Sequence, residues 1–179
     1  RRRSGICGRG HADQGAGGQT RNLKQEVKDM ETIGFVGASG TGKSYRSLYV
    51  AKQNQIHYII DDGLLIDAKR VIAGYSAKRE KTKVASIRRA LFTEAEHVAE
   101  VKAAIRRCAP DKILILGTSE RMIGRIVSAL ALPSVSRMIH IEEIATAEEM
   151  EHAQKVRREQ GKHVIPVPTF EIKKDFSGY

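Results

Sequence analysis

From Ile33 onward, short apolar runs alternate with amphipathic stretches, and this order predicts a three-layer α/β fold in which helices flank a mostly parallel, twisted sheet. Two further features agree. The run 113-ILIL-116 is apolar throughout, as a parallel strand covered on both faces must be. The run 33-IGFV-36 leads straight into 37-GASGTGKS-44, a glycine-rich turn that hands a buried strand to a helix. At 179 residues the chain suffices for one domain, which at this size buries about 70% of its unfolded surface.

The elements follow in order. After the strand 33–36, a helix is expected from about Gly42 to Gln53 with Leu48 and Ala51 inward, then a second strand at 56-IHYII-60 closed by Asp61, Asp62 and Gly63. Residues 64–91 read as weakly helical and strongly basic. Thr93 and Glu96 have capping-box spacing ahead of an apolar stripe of Val98, Val101, Ile105 and Cys108, and Pro110 ends that helix. Past the central strand 113–116, Gly117, Thr118 and Ser119 turn the chain into a helix with Met122, Ile123, Ile126, Val127 and Leu130 on its inner side. A fourth strand is expected at 138-MIHIE-142. A helix capped by Thr146 and Glu149 should then run to Gly161, and 164-VIPVP-168 would form an edge strand because of its prolines.

Composition narrows the class. No apolar run approaches the roughly 18 residues of a membrane helix, and no signal-type segment follows the basic start, so a soluble protein in the cytoplasm with no membrane partner is expected. Cys7 and Cys108 lie far apart and have no metal-ligand spacing, in keeping with a reducing compartment. The first 30 residues are rich in Gly, Arg and Gln and poor in apolar residues, so they read as a disordered basic segment. Met30, immediately before ETIGFVGASGTGKS, reads as a natural start, which would make the preceding segment non-native, and the ending FEIKKDFSGY reads as a chain that continues. Of the net charge of +10, the part beyond that segment is concentrated in one block, Lys78, Arg79, Lys81, Lys83, Arg88 and Arg89 among it, opposed only by Asp67 and Glu80. Such a block suits a local site or lid, or else a solvated helix face.

Gly37, Gly42, Lys43 and Ser44 match the pattern GxxxxGK[ST], with Ala38, Ser39, Gly40 and Thr41 between them and Tyr45 next. Glycines let successive N–H groups converge on a phosphate with no Cβ in the way, and the following helix aims its positive end at the same point. Lys43 would reach the β- and γ-phosphates, and the Ser44 hydroxyl would ligate Mg²⁺. On these residues the segment 33–53 resembles the start of a P-loop nucleoside triphosphatase. That likeness implies a P-loop NTPase domain over 31–179, with ATP and Mg²⁺ as cofactors.

A metal-bound triphosphate also calls for a carboxylate at the end of a neighbouring strand. Asp61 and Asp62 are the first candidates, for orienting an acceptor and, as Ser44 with Asp62, for the metal; the alternative is that they begin the turn at Gly63. Glu142 and Glu143 are the second. A guanine-reading NKxD motif and an LSGGQ-like signature are both absent. What remains is most similar in type to the P-loop kinases, which implies a basic lid, a catalytic set of Lys43 with Asp61 or Asp62, and an ATP-dependent phosphotransferase or hydrolase. The small-molecule phosphate acceptor is not legible. Thr118 and Ser119 would open on the same crevice or simply cap a helix. Two other readings stay open: a nucleotide-controlled module that switches a regulatory protein partner, and a nucleic-acid binder, which the 5% aromatic content disfavours because base stacking would have little to work with. His11, His57, His97, His140, His152 and His163 have no ligand spacing and receive no role.

Overall fold

The computed structural model describes residues 29–67 and 70–160. Over these the order is β1 (Glu31–Val36), α1 (Lys43–Gln53), β2 (Tyr58–Asp61), β3 (Leu64–Asp67), β4 (Val71–Gly74), α2 (Lys83–Ala90), α3 (Ala95–Cys108), β5 (Lys112–Gly117), α4 (Glu120–Leu130), β6 (Val135–His140) and α5 (Ala147–Gln160). Single 3-10 turns lie at Ala77–Arg79 and Ile141–Glu143. The strands form one sheet in the order β4-β3-β2-β5-β1-β6, parallel from β2 to β6 and antiparallel at the β3 and β4 edge.

Alternation along the strands sends side chains to two cores. Ile33, Phe35, Leu114 and Leu116 pack with Val50 and Ala51 of α1 on one face. Ile60, Ile113 and Ile115 pack with Val101 and Ile105 of α3 and with Ile123 and Ile126 of α4 on the other. Covered on both sides, 113-ILIL-116 is fully buried, as its composition requires. After β1 the chain passes β5 to reach β2, and after β5 it passes β1 to reach β6. The loops leaving β1 and β5 therefore diverge above the carboxyl edge, the arrangement that opens a ligand crevice in α/β sheets.

The stretch 64–91 corrects the sequence reading. It opens with a hairpin, not a helix, and only Lys83–Ala90 is α-helical. Asp62 and Gly63 have φ of 55° and 85°, as the two central residues of a I′ turn need, and Asp61 pairs with Leu64 across it. Leu65 then enters one core and Ile66 the other, so the strand is held from both faces. The expected capping box of Thr93 and Glu96 does not form: Phe92, buried with φ 55°, delays the helix, Glu94 becomes its N-cap without a side-chain bond, and Thr93 Oγ1 donates to the Arg88 carbonyl at 3.1 Å. The fourth parallel strand starts earlier than 138, because β1 pairs along its length with Val135–His140, and it gives way to a 3-10 turn at Ile141. The box at Thr146 does form, with Thr146 N donating to Glu149 Oε2 at 2.8 Å and Glu149 N to Thr146 Oγ1 at 3.3 Å. Met30 is buried against the sheet. The expectations for residues before 29, for Gly161, for 164–168 and for the chain's end lie outside the described residues. Among the described residues, no helix is long and apolar enough to cross a membrane.

Candidate functional site

The glycine loop leaves the end of β1 at Gly37, whose N–H donates to the Gly117 carbonyl at the end of β5 at 3.2 Å. It enters α1 through Gly40 and Gly42 with φ of 79° and 88°, conformations that an L side chain resists. Inside the loop the Ala38 carbonyl gathers three donors: Thr41 Oγ1 at 2.7 Å, Lys43 Nζ at 3.0 Å and Thr41 N at 3.4 Å. Lys43 is thus folded over its own loop, at the start of a helix. Burial depresses its pKa; Asp61 opposes that shift, and the charges of Arg157 and Lys78 add to it.

Asp61 ends β2 beside this loop, and Ser44 Oγ donates to its Oδ2 at 2.7 Å. Sequence reasoning paired Ser44 with Asp62 for the metal; the carboxylate beside Ser44 is that of Asp61. Asp62 sits in the hairpin turn and is held by the segment after β4. Its Oδ2 accepts from Ser76 Oγ at 3.0 Å and Lys78 N at 3.2 Å. Burial pushes the Asp62 pKa up, Asp61 adds to the rise, and Lys78 and these hydrogen bonds resist it.

Loop, Asp61, Asp62 and Lys78 line one cavity of about 870 Å³, which Leu116, Gly117, Thr118 and Met122 close on the β5 side. Helix α5 supplies the remaining wall through Glu148, Glu149, His152, Ala153, Val156 and Arg157. Two contacts hold it there. Arg157 Nη1 donates to Ser39 Oγ at 2.8 Å, and Arg46 Nη2 meets Glu149 Oε1 at 3.0 Å. Tyr45 lines the cavity while its residue is 70% exposed.

Other candidates separate. Thr118 faces the cavity, whereas Ser119 caps α4 by accepting from Met122 N at 3.2 Å. Glu142 and Glu143 are exposed in the 3-10 turn, and Glu143 accepts from His140 N at 2.9 Å. Among the described residues of the basic block only Lys78 reaches the cavity; Arg89 is engaged with Glu80 at 2.9 Å and Glu94 at 3.0 Å, and Arg79, Lys81, Lys83 and Arg88 are exposed.

Two contributors escaped the sequence reading. Arg157 is remote in sequence from the loop and belongs to no motif. His97, 4% exposed, stacks on Phe92 and places Nε2 2.7 Å from the Gly63 carbonyl, holding the hairpin turn that follows Asp61. Tyr75 N also reaches Nε2 at 3.3 Å, and Nδ1 is buried without a hydrogen-bond partner. The only local hint was its place on the inner face of an amphipathic helix. Among the described residues, no group of three or more His, Cys, Asp or Glu side chains is placed to hold a metal ion. No protein-family model, curated protein or solved structure matches the chain.

Proposed function

We propose that the chain is a P-loop protein that binds a nucleoside triphosphate with Mg²⁺, ATP foremost, and acts as a kinase-like phosphotransferase or hydrolase. One observation carries this reading: Ser44, in the first turn of α1, hydrogen-bonds Asp61 from a different strand at 2.7 Å, directly beside the loop and Lys43. A hydroxyl and a carboxylate in contact, next to a cation and a glycine-rich helix start, suit a Mg²⁺ that draws its other ligands from phosphate oxygens and water. Such an ion needs no cluster of protein carboxylates, so the two side chains present fit it. When bound, Mg²⁺ would neutralise charge on the terminal phosphates.

The chain's own residues divide the remaining work. Loop amides after Gly37, whose own N–H is held by the Gly117 carbonyl, and the helix end cradle phosphate, and Lys43, folded over the loop, turns its ammonium to the anion. Thr118 and Met122 bound the side from which an acceptor would approach. Calorimetric titration with Mg-ATP and Mg-GTP, together with phosphate release with and without small-molecule acceptors, tests the proposal in wild type, Lys43→Ala and Asp61→Asn. Binding by wild type that is lost in Lys43→Ala supports it; equal behaviour of all three proteins overturns it.

A nucleotide-controlled module is the second reading, and Arg157 favours it. Its hydrogen bond to Ser39 ties α5 to the loop that would cradle phosphate. An anion there would compete for the guanidinium, so nucleotide binding could reset the position of α5 toward a partner protein. Slow turnover raised by a protein partner would mark this reading; fast turnover with a small acceptor would mark the first.

A further inference from the structure

We propose that Lys78, held in place by Asp62, recognises the terminal phosphate of the bound nucleotide and lets the site distinguish a triphosphate from a diphosphate. This rests on the reading of the cavity as a triphosphate site. It assigns Asp62 a positioning role distinct from that of Asp61.

The turn that carries Lys78 is fastened to the hairpin by its backbone. Ala77 N donates to the Asp62 carbonyl at 2.9 Å, Lys78 N donates to Asp62 Oδ2 at 3.2 Å, and Ser76 Oγ donates to the same oxygen at 3.0 Å. Ala77 is buried beneath the turn, so its backbone has little freedom. The Lys78 side chain extends from this anchored point to the cavity wall. Lysine's point charge on a flexible stem suits a phosphate oxygen whose position shifts between nucleotide states.

Lys78 also stands apart from the other nearby cations. Arg89 is held by two carboxylates, and Arg157 donates to Ser39. Lys43 and Lys78 enter one cavity from different elements, α1 and the turn after β4, and the Lys78 charge bears on Lys43. Two like charges facing one space favour an anion between them. Lys43 enters from the glycine loop and Lys78 from the hairpin side, so the outermost phosphate can be met from both. Asp62 serves this geometry because its carboxylate is occupied by the turn.

The test is calorimetry on the full chain with Mg²⁺ and either a non-hydrolysable ATP analogue or ADP. Lys78→Gln should weaken the triphosphate analogue about ten- to a hundredfold, the loss of one charge-assisted contact, and leave ADP unchanged. Lys78→Arg should restore most of the preference. Asp62→Asn, which keeps the side chain's size, should reproduce the loss in weaker form with ADP again unchanged, an outcome that general loosening of the fold would not give. Equal losses for both nucleotides, or none for either, overturn the assignment of Lys78 while leaving the triphosphate reading intact. Failure of the wild type to bind either nucleotide overturns that reading and this inference with it. Lys78→Met supplies the same comparison should the Gln variant fold poorly.

Discussion

Ser44 Oγ donates a 2.7 Å hydrogen bond to Asp61 Oδ2, joining the first turn of α1 to the end of β2 in the wall of the cavity. If both side chains serve one ion, they act as a unit. Ser44→Ala and Asp61→Ala should each lower Mg-ATP affinity about tenfold or more, and the double variant should lose little beyond either single change. Chelating the metal should erase the differences. Fully additive losses in calorimetry would show that the two residues work independently.

Lys43 has its pKa depressed below the ordinary 10.5, chiefly by burial. Phosphate binding needs its protonated form, so nucleotide affinity should begin to fall at a pH below the usual lysine range. The effect on folding has the opposite sign. Between the depressed folded value and 10.5 the unfolded chain binds more protons, so this residue's contribution to stability rises with pH through that window. Titrations of affinity and of thermal stability over alkaline pH should therefore diverge in wild type, and the lysine-dependent part of both should vanish in Lys43→Met.

Asp62 shows the reverse of the usual carboxylate behaviour, because burial raises its pKa above 3.8. Between 3.8 and the raised folded value the native state holds more protons than the unfolded chain, so this group's contribution falls as pH rises through the window. Asp62→Asn should flatten that mildly acidic slope in melting experiments. An unchanged slope would locate the titration in another group.

Gly37 lies against the core. A Cβ there would come within 2.6 Å of Ile141 Cγ2, and Ile141 is fully buried and cannot swing away. Gly37→Ala should cost about 1–3 kcal/mol as overpacking, seen as a Tm lowered by several degrees. A variant as stable as wild type would mean that the loop and the Ile141 turn can separate without cost.

Helix α5 begins with the reciprocal bonds of Thr146 and Glu149, and Glu149 also meets Arg46. Thr146→Ala should weaken the helix by about 0.5–2 kcal/mol. Hydrogen exchange should speed up in α5 while the amides of β1 and β5 remain protected. Uniform loss of protection across sheet and helix would mean that α5 is not a separate unit of stability.

Legibility followed the range of the interaction. The strands at 33–36 and 113–116 were readable because burial on both faces demands continuous apolar side chains, and the Thr146 box because both partners lie within one helical turn. The hairpin after Asp61 was also written locally, as an Asp-Gly pair between IID and LLI, but the dense charge beyond it drew the reading toward helix. At Thr93 the local signal was present and lost, because burying Phe92 against His97 moved the helix start.

The sequence by itself determined the glycine loop, its placement between a buried strand and a helix, and the nearness of an acidic pair to the end of a strand, all consequences of spacing along the backbone. It could not say which of Asp61 and Asp62 would face Ser44. Asp61 ends the strand, and the positive φ of the I′ turn takes Asp62 to Ser76 while leaving Asp61 at the loop. Only the tertiary structure decided that, singled out Lys78 from a run of basic residues, and brought Arg157 to Ser39 across 118 positions of sequence. Those contacts arise where separate elements pack around one crevice, and no periodicity within a single element encodes them.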